Sequence, residues 1–231
     1  MKTIQGVLWD NDGVLVNTEQ LFYESNRDLL LPYGIDLTPK QFFDWFLDNN
    51  YGAWHVLLGQ GHAIELVDRL RAERTALFAQ RLRQARQLAM PGIDHVLTAL
   101  RPHVAMGVVT SAYEPHFRIS QASTGLLPHF DFVLTREMYG ESKPAPDGYQ
   151  LGLQRLGLAA AHCVAVEDSP RGLRAANAAG LECIIVRNQM NRHHAFDGAF
   201  CVVDSSAELG EVLASVVPGM APVGGQLEAF L

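Results

Sequence analysis

The chain has 231 residues, 48% of them hydrophobic and 19% charged, which is typical of a globular protein with a substantial core. A formal net charge of -7 argues against a nucleic-acid-binding surface, and no apolar run approaches the roughly 18 residues of a membrane span. The N-terminus lacks the layout of a secretory signal, and Cys163, Cys183 and Cys201 show no C-x-x-C spacing, so free thiols in a cytoplasmic protein are expected.

The first predicted strand, Ile4–Trp9, is followed directly by two aspartates, Asp10 and Asp12. A carboxylate at the end of a buried strand costs desolvation energy unless a cation or a hydrogen-bond donor meets it. Two carboxylates spaced one residue apart therefore indicate either a bound metal ion or a nucleophile with an acid/base partner.

The stretch after these aspartates contains no convincing buried strand. Its apolar residues recur at intervals of three and four, which is the spacing of one face of a helix. The clearest helical segments are Glu19–Tyr33, Pro39–Asn49 and His62–Ala89. We therefore predict that residues 17–90 form a helical insertion, which divides a core made of residues 1–16 and 91–231.

Five further short apolar runs follow the insertion and alternate with helical patterns such as Gly92–Leu100 and Ser169–Ala179. The runs are Val104–Val109, Phe132–Leu134, Cys163–Val166, Cys183–Val186 and Phe200–Val203. Near-continuous apolarity is typical of strands in a parallel sheet that helices cover on both faces. The alternation predicts an α/β fold with a doubly wound parallel sheet. The Gly- and Pro-rich segment 217–231 is predicted to be a loose tail.

Polar residues follow several of these predicted strands. Thr110 and Ser111 follow the second strand, Glu167 and Asp168 follow the fourth, and Lys143 lies between them in the stretch SKPAPDGY. Ligands bind at the carboxyl ends of the strands in open parallel sheets, so these side chains should converge with the two aspartates after the first strand. Carboxylates, a hydroxyl and a lysine in one place are poor core residues, but they suit a magnesium ion and a phosphate group.

Each of these residue types suits one part of phosphoryl transfer. Asp10, with Asp168 or Glu167, can supply the oxygen ligands that Mg²⁺ prefers, and the ion offsets repulsion between a carboxylate nucleophile and a phosphate dianion. Asp12 can give a proton to the departing alkoxide and then take one from water. Lys143 and the hydroxyl after the second strand can hold the phosphate oxygens in the transition state.

Four stretches in chain order, WDNDGVL, VVTSA, SKPAPDGY and VAVEDSPRGLRAANAAGL, resemble the four motifs of the haloacid dehalogenase superfamily. More narrowly, they resemble the subgroup with a helical cap after the first strand, which includes β-phosphoglucomutase and phosphoglycolate phosphatase. The similarity covers about residues 1–16 and 91–205 and reaches the insertion only by its position and helical character. It implies a Rossmann-like core with an inserted helical cap domain, residues 17–90, that closes over the substrate and opens to release product.

The resemblance implies two catalytic aspartates and a magnesium site. Asp10 would be the nucleophile that becomes an aspartyl phosphate, and Asp12 would be the general acid/base. The implied magnesium ligands are Asp10, the main-chain carbonyl of Asp12, Asp168 and, in support, Glu167. Dehalogenases of the superfamily lack the second aspartate, so Asp12 favours phosphoryl transfer.

The phosphate binders that the resemblance implies are Thr110, with its neighbour Ser111, and Lys143. Phosphatases and hexose-phosphate mutases share this site. The β-phosphoglucomutase pattern has a histidine a few residues beyond the D-x-D, where this chain has Phe22. The stretch Asn49–Gly61 also has no arginine or lysine to hold a second phosphate. Both features favour hydrolysis.

The sequence therefore predicts a cytoplasmic, magnesium-dependent phosphatase for a small phosphorylated metabolite, such as a sugar phosphate or a phosphoglycolate-like compound. Two alternatives stay open: a β-phosphoglucomutase-type mutase and a non-catalytic phosphometabolite-binding protein. No nucleic acid or membrane is an expected partner, and a monomer and a homodimer are both compatible with the sequence. The segment RNQMNRHH, Arg187–His194, is interpreted as a surface loop because it has no flanking carboxylates and the protein is acidic.

Overall fold

The computed structural model describes residues 3–223, which divide into two compact units. One unit contains the described residues up to Asn17 together with those from Gln87 onward. The other unit is Thr18–Arg86. Both divisions lie close to the ends of the predicted insertion, residues 17–90.

The larger unit is built on a parallel sheet of six strands. The strands are β1 (Gly6–Trp9), β2 (Ala105–Val109), β3 (Phe132–Leu134), β4 (Cys163–Glu167), β5 (Glu182–Val186) and β6 (Cys201–Val203). Their order across the sheet is β3-β2-β1-β4-β5-β6. Each strand coincides with a predicted apolar run, and the prediction of an α/β fold with a doubly wound parallel sheet is confirmed.

Helices precede or follow each strand of the sheet. The α-helices are α1 (Glu19–Leu30), α2 (Pro39–Phe42), α3 (Trp54–Gly59), α4 (Ile64–Gln84), α5 (Ile93–Leu100), α6 (Glu114–Gln121), α7 (Asp147–Leu156), α8 (Pro170–Ala178) and α9 (Ser206–Val216). Short 3-10 turns are Leu31–Tyr33, Leu127–His129, Arg136–Met138 and Ala160–His162. Within residues 3–223, none of the helices is long and apolar enough to cross a bilayer.

Two clusters of buried apolar side chains cover the two faces of the sheet. Successive residues of a strand point to opposite faces, so Val7 and Trp9 of β1 lie in one cluster while Leu8 lies in the other. Helices α5 and α9 contribute to the first cluster, and α7 and α8 contribute to the second. Burial on both faces explains why the strands are apolar throughout instead of alternating.

The segment after α9 differs from the predicted loose tail over its described part. Val217, Met220 and Val223 are 2%, 6% and 8% exposed and belong to the first apolar cluster. Burying these three side chains holds residues 217–223 against the core. The rest of the predicted tail, residues 224–231, lies outside the described residues.

The smaller unit consists of helices around an aromatic interior. Helix α1 packs against α4, and a π-helical turn, Phe43–Asp48, continues from α2. The Phe22 ring lies 5.1 Å from that of Phe78 and 5.9 Å from those of Phe42 and Phe46, measured between centroids. The sequence predicted helices on both sides of α3 but did not predict α3 itself, which is only six residues long.

Candidate active site

The predicted site residues come together at the carboxyl edge of the sheet. Asp10 follows β1, Thr110 follows β2, and Glu167 is the last residue of β4. Because β1 lies between β2 and β4, these three strand ends are neighbours. The backbone continues the sheet pairing into the site, since the Asp10 N–H donates to the Val166 carbonyl at 2.9 Å. This edge is where ligands bind in open α/β sheets.

Lys143 is the cation at the centre of the site and is only 4% exposed. Its Nζ lies 2.9 Å from Asp10 Oδ1 and 2.6 Å from Glu167 Oε1, and it donates to the Val109 carbonyl at 3.0 Å. These three partners match the three N–H bonds of an ammonium group. Burial lowers the pKa of Lys143, but the charges of Asp10 and Glu167 outweigh it and raise that pKa above its ordinary value. The side chain is therefore a fixed positive charge.

Glu167 is fully buried, and both of its carboxylate oxygens accept hydrogen bonds. Oε1 accepts from Lys143 and from the Tyr149 hydroxyl at 2.7 Å, and Oε2 accepts from the Asp168 N–H and the Ser169 hydroxyl, both at 3.2 Å. Burial raises the pKa of Glu167, but the Lys143 charge and these hydrogen bonds bring it below its ordinary value. Glu167 is therefore an ionised carboxylate.

A glycine in α8 makes room for the Glu167 carboxylate. A Cβ atom built on Gly172 would overlap all three atoms of that carboxylate group. The same helix begins with a side-chain cap, because the Gly172 N–H donates to Ser169 Oγ at 3.1 Å. The Ser169 cap therefore also orients the hydroxyl that donates to Glu167.

Asp10, Glu167 and Asp168 form a buried acidic cluster, with one ligand atom from each lying within 4.8 Å of the others. Burial and the charge of Glu167 raise the pKa of Asp10 to about 7, while Lys143 opposes the shift. Three carboxylates facing one ammonium leave an excess of negative charge in a buried place. Hard oxygen donors with excess negative charge fit a divalent cation such as Mg²⁺.

The Asp12 side chain lies next to Thr110. The Thr110 hydroxyl is 3.5 Å from Asp12 Oδ2 and accepts a hydrogen bond from the Ala112 N–H at 3.0 Å. Thr110 is fully buried, and Ser111 beside it is half-buried with its hydroxyl 3.4 Å from that of Ser142. The structure therefore brings the predicted phosphate-binding hydroxyls to the Asp12 side of the site.

A polar network holds the turn between the two aspartates. Asn11 is fully buried, and its Oδ1 accepts from Gln121 Nε2 at 2.7 Å while its Nδ2 lies 3.4 Å from the Ser120 hydroxyl. The main-chain carbonyl of Asn11 accepts from the Leu15 and Val16 N–H groups at 2.8 and 3.0 Å. This network ties the turn after β1 to the end of α6.

The loop after β5 also reaches the site, which the sequence did not predict. Asn188 Nδ2 donates to Asp168 Oδ2 at 2.8 Å, and Asn191 Nδ2 donates to the Asp168 carbonyl at 2.7 Å. Asn191 is only 1% exposed, so the interpretation of Arg187–His194 as a simple surface loop is wrong for these two residues. The available signal was their position after a predicted strand, at the same edge as the aspartates.

Comparisons with known proteins agree with this geometry. A family model described as haloacid dehalogenase-like hydrolase matches residues 7–186. Protein CbbY of Cereibacter sphaeroides is 31% identical over 218 residues, covering 90% of this chain and 94% of that protein. Fructose-1-phosphate phosphatase YqaB of Escherichia coli strain K12 is 26% identical over 187 residues, covering 79% of this chain and 96% of that protein. The crystal structure of a mutant CbbY from Rhodobacter sphaeroides in complex with xylulose-(1,5)bisphosphate matches with a TM-score of 0.74 at 27% identity, covering 90% of this chain and 97% of that chain.

Proposed function

Because the chain belongs to the haloacid dehalogenase-like hydrolases, we propose that it hydrolyses its substrate through an aspartyl phosphate on Asp10, with Mg²⁺ as cofactor. The chain is a phosphoric monoester hydrolase acting on a phosphorylated metabolite, in line with relatives named as phosphatases. One observation carries the mechanistic proposal. Asp10 lies buried at a strand end between a fixed ammonium, 2.9 Å away, and two further carboxylates.

The acidic cluster supports a divalent cation as the cofactor. Asp10 and Asp168 would supply carboxylate oxygens, Glu167 would support them, and the main-chain carbonyl of Asp12 is the further ligand that the family resemblance implies. When bound, Mg²⁺ would offset the negative charge that the substrate phosphate brings to this site. The raised pKa of Asp10 is in line with this assignment, since it comes first from burial and then from the negative charge of Glu167, and a bound cation would offset both.

Asp10 and Asp12 would divide the covalent and proton-transfer steps between them. An Asp10 carboxylate oxygen forms a bond to phosphorus as the bond from phosphorus to the substrate's ester oxygen breaks, and Asp12 gives that departing oxygen a proton. Asp12 then takes a proton from the water that attacks the aspartyl phosphate, which releases phosphate and restores Asp10. Their different neighbours support these roles, because Asp10 has a buried cationic partner and Asp12 has a hydroxyl neighbour.

Lys143 and Thr110 would hold the transferred phosphoryl group. Lys143 is a buried cation already positioned beside the attacking carboxylate, so it needs no reorganisation to stabilise negative charge that develops there. The Thr110 hydroxyl accepts from Ala112, which leaves its own proton for donation. Its present acceptor, Asp12, is 3.5 Å away, a distance at which a hydrogen bond is weak. A phosphate oxygen can therefore accept a hydrogen bond from this hydroxyl, with Ser111 beside it.

Sugar phosphates are the substrate class that the relatives favour. One relative is named a fructose-1-phosphate phosphatase, and a similar structure contains xylulose-(1,5)bisphosphate. We propose that this chain also acts on a small sugar phosphate. All three cysteines carry free thiols, which supports the proposed cytoplasmic location.

The experiment that tests the proposal is phosphate release from a panel of phosphomonoesters. The panel contains fructose 1-phosphate, xylulose 1,5-bisphosphate, phosphoglycolate, glycerol phosphates and nucleoside monophosphates. We expect release by the wild type from at least one sugar phosphate, loss of release with EDTA, recovery with Mg²⁺, and no release by Asp10→Asn. Asp197→Asn, the same change at an exposed position, is the matched control.

Two results would contradict the proposal. Hydrolysis by Asp10→Asn at the wild-type rate would exclude Asp10 as the nucleophile. No release from any compound, with phosphometabolite binding intact, would exclude the phosphatase. Formation of glucose 1,6-bisphosphate from a hexose phosphate would then identify the mutase alternative.

A further inference from the structure

Two asparagines in the loop after β5 hydrogen-bond Asp168 of the acidic cluster, one at its side chain and one at its main-chain carbonyl. Asn188 Nδ2 donates to the side-chain Oδ2 of Asp168 at 2.8 Å. Asn191 Nδ2 donates to the main-chain carbonyl of Asp168 at 2.7 Å and to that of Val186 at 3.1 Å. Contact with both the side chain and the backbone of Asp168 leaves its carboxylate little freedom to rotate or shift.

The two asparagines also hold each other in place. The Asn188 N–H donates to Asn191 Oδ1 at 2.8 Å, and the Asn191 N–H donates to Asn188 Oδ1 at 3.2 Å. The Met190 N–H adds a second bond to Asn188 Oδ1 at 2.9 Å. Since both Oδ1 atoms accept backbone N–H groups, the Nδ2 groups must face Asp168. We call this pair, Asn188 and Asn191, the asparagine clasp.

We propose that the asparagine clasp positions Asp168 as a ligand of the catalytic cation. The inference rests on the proposed magnesium site but assigns a role to two residues outside the four motifs. Asn188 and Asn191 are positioning residues, because they act through Asp168. Groups that hydrogen-bond a metal ligand typically change metal affinity by about 10–100-fold when removed.

The chemistry of the donor supports this role. An amide satisfies one Asp168 oxygen without neutralising the carboxylate, so the negative charge remains available to a cation. A lysine in the same place would also donate, but its positive charge would repel the ion. The loop after β1 packs closely against Asp168 and Asn188. A Cβ at Gly13 would overlap Asp168 Oδ2 and lie 3.1 Å from Asn188 Nδ2.

The test measures metal affinity without substrate. Mn²⁺ is titrated into the wild type, Asn188→Ala and Asn188→Asp, and free Mn²⁺ is measured by electron paramagnetic resonance. Gln189→Ala, an exposed change in the same loop, is the control. We expect Asn188→Ala to weaken Mn²⁺ binding by about 10–100-fold and the control to bind like the wild type.

Asn188→Asp distinguishes the loss of the hydrogen bond to Asp168 from a change in the fold of the loop. The introduced carboxylate keeps an acceptor for the Met190 and Asn191 N–H groups but replaces the donor that faces Asp168. We expect weaker Mn²⁺ binding than in the wild type, because the two carboxylates repel each other and displace Asp168. Asn188→Asp therefore still tests the proposal if Asn188→Ala disturbs the loop.

The Mg²⁺ dependence of the kinetics distinguishes a role in metal binding from a purely structural role. In Asn188→Ala the Mg²⁺ concentration for half-maximal activity should rise by the same factor as the Mn²⁺ dissociation constant, while kcat at saturating Mg²⁺ changes little. Wild-type Mn²⁺ affinity in both Asn188 variants, or tighter binding by Asn188→Asp, would overturn the clasp. So would a loss of kcat with unchanged affinity. Failure of the wild type itself to bind Mn²⁺ would instead count against the proposed cofactor.

Discussion

Replacing Lys143 by methionine should destabilise the fold strongly while preserving the volume of the side chain. The ammonium has Asp10 Oδ1 and Glu167 Oε1 within 2.9 Å and donates to the Val109 carbonyl at 3.0 Å. Glu167 would keep its Tyr149, Asp168 and Ser169 donors, but both carboxylates would lose their buried cation. The variant therefore tests whether the centre of the site is held by charge pairing or by packing.

The expected cost follows from the burial of the pair. Removing one partner of a buried ion pair costs about 3–5 kcal/mol, because the other charge stays buried without compensation. The lost bond to the Val109 carbonyl adds about 1 kcal/mol. A typical domain unfolds with about 5–15 kcal/mol, so Lys143→Met should remain foldable but unfold at a clearly lower denaturant concentration.

The pH dependence of this loss has a defined sign. The pKa of Asp10 is already raised to about 7, and removal of the Lys143 charge should raise it further. The folded variant then binds a proton that the unfolded chain has released, so its stability falls as pH rises above the unfolded value of the carboxyl group. The difference in unfolding free energy between the wild type and Lys143→Met should therefore be larger at about pH 8 than at about pH 6.

The assay is urea unfolding in EDTA at the two pH values, with Lys40→Met, a change at an exposed lysine, as control. The Lys40 variant should unfold like the wild type, since its ion pair with Asp44 is on the surface. A loss of unfolding free energy below about 1 kcal/mol in Lys143→Met, or a loss that shrinks as pH rises, would show that buried charge pairing does not hold this site together.

Three further predictions concern the surroundings of this lysine. Tyr149→Phe removes the 2.7 Å hydroxyl donor to the glutamate that ends β4 and should cost about 1.5–3 kcal/mol in urea unfolding; the same change at the exposed Tyr113 should cost nothing measurable. At the proposed site, Mg²⁺ has to displace the proton of Asp10 below about pH 7. Its affinity, measured by calorimetry, should therefore fall about tenfold for each pH unit below 7, and a flat profile would contradict that linkage. Gln121→Leu leaves Asn11 Oδ1 without its 2.7 Å donor and should lower the unfolding free energy by about 1–3 kcal/mol. The double variant with leucine at both 11 and 121 should recover most of that loss. If Gln121→Leu alone does not change the unfolding free energy, the network adds no stability.

The sequence alone located the six strands and the candidate site residues that lie in the four motifs. Strands buried on both faces must be apolar throughout, and this local property located all six of them, including β1 directly before Asp10 and Asp12. The site residues in the four motifs come directly after strand ends or lie in short loops between elements. Nearby residues decide whether a segment forms a strand or a helix, so these elements leave a local pattern in the sequence.

Which side chains meet depends on how distant segments of the chain are arranged in space. The order β2-β1-β4 brings Lys143 into contact with Asp10 and Glu167, residues far apart in the chain. The same holds for the asparagine clasp, because Asn188 and Asn191 resemble any polar loop until β5 is placed beside β4. Hydrogen bonds between distant segments leave no periodic pattern in the sequence, since each partner is a single polar residue whose value depends on what lies opposite it in the folded chain.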